Sequence, residues 1–170
     1  MKLFNIAGFQ IGWWLCVLGE KNNLPYIGPL FMLIFIILHL FFISKLKKEY
    51  KLIILSSILG ILIDGSFKLT GMIDYIGDSN NSFFVPLWII AMWAGFSSTI
   101  NHSLFWLKKL NFFSFLLGSI FGPLSYIAGY KLNVILFDPN IYTIIILSLT
   151  WGASIPFLFY INKKLNINTI

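Results

Sequence analysis

Residues 52–73 read LIILSSILGILIDGSFKLTGMI. The run exceeds the length of about 20 apolar residues that a helix needs to cross a bilayer. Its ionisable side chains are Asp64 and Lys68, four apart and in the favourable acid-before-base order for a helix. A helix on the surface of a water-soluble domain carries a polar face. Here the residues around Asp64 are mostly apolar, so the stretch predicts a membrane-crossing helix with a carboxylate inside it.

Working outward, the same criterion picks out residues 3–19, 26–44, 83–107, 112–130 and 141–161, with short connections between them. The chain is 58% hydrophobic and 11% charged, against about 25% charged in soluble domains, which excludes a water-soluble fold. The expected architecture is an all-α polytopic membrane protein, one transmembrane domain over residues 1–170 with six spans. The first span follows Lys2 like a signal sequence, but Cys16-Val17-Leu18-Gly19 offers no small-x-small cleavage site, so it is expected to persist as a helix.

All twelve basic residues are Lys. Nine of them (Lys2, Lys45, Lys47, Lys48, Lys51, Lys108, Lys109, Lys163, Lys164) fall on one side of the expected spans, and Lys21, Lys68 and Lys131 fall on the other. The positive-inside rule then places both termini in the cytoplasm, which six spans satisfy. The absence of Arg and the scatter of Lys argue against a nucleic-acid partner. The single cysteine, Cys16, can form neither an internal disulfide nor a Cys-based zinc site.

Polar residues within spans are the best candidates for function, because lipid-facing positions are most cheaply filled by apolar ones. Counting from the Lys flanks at about 1.5 Å per residue puts His39 and His102 roughly 9 Å deep, Gln10 about 12 Å and Asp64 about 20 Å. Two layers result. One joins Gln10, His39 and Asn101-His102-Ser103, with Ser97 and Ser98 a turn away. The other joins Asp64, Tyr126 and Thr150. These groups are candidates for a ligand-binding site or for a polar clasp between helices. Gly8-x-x-x-Gly12 and Gly118-x-x-x-Gly122 allow close helix packing, and Gly122-Pro123 is expected to kink or break the fifth span.

Several chemistries are disfavoured. His39 and His102 lie on different spans, and neither has a His or acidic residue within four positions, so no metal is expected. No G-x-S-x-G elbow, Walker loop or paired intramembrane carboxylate occurs, and no cofactor is expected. What survives is binding, transport, an accessory role, or acid/base chemistry built from Asp64, His102 and Tyr126.

Gly8-Phe9-Gln10-Ile11-Gly12-Trp13, Asp64, Pro86-Leu87-Trp88, Asn101-His102-Ser103-Leu104 with Trp106, and Gly122-Pro123-Leu124-Ser125-Tyr126 with Gly129 resemble the domain-of-unknown-function family twenty-eight seventy-eight. That resemblance implies a small bacterial inner-membrane protein. It further implies service to membrane-lipid modification, since family members are encoded near cyclopropane-fatty-acid-synthase-like methyltransferases. The leading expectation is therefore a non-enzymatic component that binds membrane lipid and assists a lipid-modifying enzyme or another membrane protein. The rival is a small-molecule transporter or substrate-binding permease subunit. An intramembrane acid/base enzyme comes third.

Overall fold

The computed structural model describes residues 2–44, 48–77, 84–165 and 167. Lys45, Lys47 and Phe83, used above for charge and span boundaries, lie outside them. The described chain is mostly helical. Its helices are α1 (Lys2–Lys21), α2 (Ile27–Leu38), α3 (Glu49–Leu69), α4 (Leu87–Ser97), α5 (Asn111–Lys131) and α6 (Ile141–Lys164). Of these, α3, α5 and α6 are long and apolar enough to cross a membrane.

The 83–107 stretch departs furthest from expectation, for α4 ends at Ser97 after 11 residues, only about 16 Å of rise. Ser97, Ser98 and Thr99 are responsible: their hydroxyls donate to the carbonyls of Ala94, Gly95 and Phe96, each three residues back. Such bonds compete with the helical ladder. The chain then continues through turns to a 3₁₀ segment, Phe105–Lys109. A similar irregularity follows α2, where His39–Ile43 forms a π-helical turn, a feature frequent at functional sites.

Two short strands add to the helices. β1 (Ile73–Tyr75) pairs antiparallel with β2 (Ile135–Phe137), Asp74 opposite Leu136. Part of the connection after the third expected span is thus folded back onto the bundle, and both Ile73 and Tyr75 are buried.

Packing is organised around α4, which touches α1, α2 and α3, while α5 pairs with α6. Trp88 and Trp93 of α4 are buried at its centre. Both glycine pairs act inside the chain. A side chain at Gly8 or Gly12 would strike Phe35 or Met32 of α2, and one at Gly118 or Gly122 would strike the backbone or side chain of Trp151 on α6. α5 is continuous through Pro123 and is not broken there, supported by this close seat on α6, as neighbours support prolines in membrane helices. The outer surface is strongly apolar: Leu3 and Phe41 are each about 80% exposed, and exposed Leu, Ile and Phe occur on all of the longer helices. A soluble protein rarely shows so much contiguous apolar surface.

Candidate functional site

Two buried polar clusters form, at different levels of the bundle. The first is centred on Asp64, which is fully buried. Gly60, one turn earlier on α3, lets the Trp93 ring lie directly against that helix, since a Cβ there would overlap the indole. The Trp93 indole N–H donates to Asp64 Oδ2 at 2.6 Å. The Tyr75 hydroxyl, delivered by β1, donates to Oδ1 at 2.6 Å, and the Tyr126 hydroxyl of α5 donates to the same oxygen. Three donors from three separate elements thus converge on one carboxylate. Trp151 stacks on Trp93 with ring centroids 4.6 Å apart, extending the cluster to α6.

Beside this cluster lies a cavity of about 410 Å³, within the range of roughly 300–1,000 Å³ typical of ligand sites. Phe9, Gln10, Trp13 and Trp14 of α1 form one wall, and Phe121, Leu124, Ser125 and Ala128 of α5 form the wall opposite. Trp88, Met92, Trp93 and Phe96 of α4 make the floor, where Asp64 also contributes. Trp14 is just under half exposed on the outer surface and Phe121 and Leu124 are more than half exposed, so the space opens sideways between α1 and α5. Its lining is aromatic and apolar, with Gln10, Ser125 and the Asp64 cluster as the polar points.

The second cluster gathers at the end of the bundle that carries Lys2, Lys108, Lys109, Lys163 and Lys164. Its centre is Glu49, the first residue of α3 and fully buried. His102 Nε2 lies 3.1 Å from both carboxylate oxygens, and His39 Nε2 lies 3.3 Å from Oε2. The Asn101 amide donates to Glu49 Oε1 at 3.2 Å and exchanges hydrogen bonds with Asn162 of α6. Asn5 of α1 completes the ring. Its Nδ2 donates to the Ser98 carbonyl and reaches His39 Nδ1 at 3.4 Å, while its Oδ1 accepts from the Ser103 hydroxyl at 2.7 Å. The turns that end α4 aim Asn101, His102 and Ser103 inward; a continued helix would spread them around its circumference.

The structure therefore joins His39, Asn101, His102 and Ser103, and separately joins Asp64 with Tyr126. Gln10 leaves the histidine group and stands on the cavity wall. Thr150 is not among the groups bonded to Asp64, and its carbonyl accepts from the Ser154 hydroxyl. Lys68 reaches the Phe84 carbonyl at 3.4 Å. Sequence reasoning passed over Glu49, Asn162, Tyr75 and Trp93 as site residues, and Asn5 belonged to neither layer. The signal for Glu49 was a lone acid inside the basic run of residues 45–51.

A profile of the family described as "Protein of unknown function (DUF2878)" matches residues 2–157. The chain belongs to that family. The match spans both clusters apart from Asn162, and all of the cavity walls. No curated protein and no solved structure shows a significant match to the chain.

Proposed function

We propose that this chain is a multi-pass bacterial inner-membrane protein that holds a lipid or lipid-like molecule between α1 and α5, as a non-enzymatic component of fatty-acyl modification. The carrying observation is the sideways-opening aromatic cavity, because a site reached through its wall suits a ligand already dissolved in the bilayer. Its polar points would orient a headgroup or an unsaturated chain without contributing chemistry. The membrane setting is supported by three long apolar helices and the exposed apolar surface. Cytoplasmic termini are supported by the second cluster, since Asn5, Glu49, His102 and Asn162 can meet only if the Lys-flanked ends of four segments share one side.

Lipid extraction and mass spectrometry of the purified protein test this reading. A defined lipid class should copurify in about one copy per chain with the wild type, and Ala128→Phe, which fills the cavity from the α5 wall, should reduce it several-fold while leaving the melting temperature within a few degrees. The fatty-acyl profile of cells lacking the protein should change in the same lipid class. Lipid content indifferent to Ala128→Phe, together with an unchanged acyl profile, would reject the lipid role. Saturable binding of a water-soluble molecule at this cavity would point to a permease subunit in its place.

A further inference from the structure

The Glu49 cluster has a geometry that a polar clasp does not require. Two imidazoles from distant segments present the same nitrogen, Nε2, to one carboxylate, at 3.1 and 3.3 Å. Metal–ligand bonds of about 2.0–2.2 Å, in tetrahedral or octahedral shells, place neighbouring donor atoms roughly 2.9–3.5 Å apart. All three candidate donor atoms lie within 4.8 Å of one another, so modest closure of the two rings encloses an ion. We propose that His39, Glu49 and His102 bind one divalent transition-metal ion through the two Nε2 atoms and a Glu49 oxygen.

The donor chemistry narrows the class of ion. Two imidazoles and a carboxylate suit Zn²⁺, Fe²⁺ or Mn²⁺, whereas Ca²⁺ and Mg²⁺ prefer oxygen shells and Cu⁺ prefers sulfur. Three protein ligands leave coordination positions free, as in catalytic rather than structural sites. His39 and Glu49 are completely buried, but the His102 side chain is 15% exposed, so the ion and any further ligand would reach the site past His102. Asn101 and, behind it, Asn162 fix the carboxylate, as outer partners do in metal sites.

Without an ion, the Asn5 amide donor beside His39 Nδ1 favours the tautomer whose proton sits on Nε2, facing Glu49. Metal entry moves that proton to Nδ1, against the Asn5 donor. Affinity should accordingly be micromolar, weaker than where a carbonyl or carboxylate backs the ring.

The test uses untagged, full-length protein in detergent, stripped with chelator and dialysed against Zn²⁺ or Co²⁺. Elemental analysis should find about one ion per chain, and Co²⁺ should develop visible ligand-field absorption. His102→Gln and Glu49→Gln should each weaken binding by roughly a hundredfold or more, since loss of even an outer partner costs about 10–100-fold. Tyr142→Phe, on the exposed outer face of α6 and away from both clusters, should bind like the wild type. His102→Gln alters the partly exposed ligand, and its fold is checked by a metal-free melt, so the test stands even if Glu49→Gln fails to fold. Absence of stoichiometric binding by the wild type, or retention of full affinity by folded His102→Gln, overturns the proposal.

Discussion

Asp64→Ala is expected to destabilise the protein by about 3–5 kcal/mol, since each buried donor left without its acceptor costs about 1–3 kcal/mol and the two tyrosine hydroxyls can recover part by pairing with each other. The apparent melting midpoint in detergent should then fall by roughly 10 °C. Interhelical hydrogen bonds in membranes are usually worth less, averaging about 0.6 kcal/mol, because the unfolded chain in lipid finds other partners. Asp64 differs in that one carboxylate serves Tyr75, Trp93 and Tyr126 from β1, α4 and α5. Truncation strands three buried donors together and leaves a void among their rings. Asp64→Asn should have an intermediate effect. Its amide oxygen can still accept from the two tyrosines, but its NH₂ group then faces the Trp93 indole N–H, donor against donor. A melt followed by tryptophan fluorescence checks the order, with Trp93 and Trp151 beside the altered residue. In the Asp64→Ala background, Tyr126→Phe should add little further loss, because its acceptor is already gone. Wild-type melting of Asp64→Ala would mean that these bonds do not hold the helices.

The Asp64–Tyr126 pairing was legible because depth can be counted along helices, and the two residues fall at similar levels from their Lys flanks. Tyr75 was not, since it lies in what reads as a connection. Only the long-range β1–β2 pairing, with Tyr75 opposite Ile135, brings its hydroxyl to Asp64. Trp93 reads as one more apolar residue, and its single indole N–H becomes polar chemistry only where an acceptor sits opposite. Glu49 was hidden by its neighbours. Surrounded by Lys48, Tyr50 and Lys51, it looks like a solvated charge, yet α3 begins three residues before the apolar run at Leu52 and turns the carboxylate inward. A window of four positions about each histidine misses its acidic neighbour. His39 meets its acid ten residues on, and His102 meets the same acid from the far side of the sequence.

The fold follows the same division. Among the described residues, apolar runs located each of the six α-helices, because that signal is local and extends over many residues. The length of α4 depended on three hydroxyl residues choosing backbone carbonyls over continued helix, and Ser-Ser-Thr is equally compatible with an uninterrupted membrane helix. That local choice matters for the site, since the shortened helix is what frees Asn101, His102 and Ser103 to turn toward Glu49 and Asn5.

Gly28→Ala should be the most damaging single-methyl change on α2. A Cβ at residue 28 would lie 2.3 Å from Cys16 Cα and 2.4 Å from its backbone nitrogen, and backbone of α1 cannot rotate aside as a side chain can. Overpacking of this kind typically costs 1–3 kcal/mol and sometimes more, and the contact with backbone places this change at about 3 kcal/mol. At Gly12 the obstacle is the end of the Met32 side chain, so Gly12→Ala should cost clearly less. The same substitution also probes the cavity. Gly8, Gly12 and Cys16 face α2, while Phe9, Gln10, Trp13 and Trp14 on other faces of α1 form the cavity wall. Separating α1 from α2 must move that wall relative to α5. Gly28→Ala protein that still folds should therefore lose copurifying lipid along with stability, whereas Gly12→Ala should retain most of both. If Gly28→Ala lowers the melting point but leaves lipid content intact, α1 does not form the wall of the occupied site.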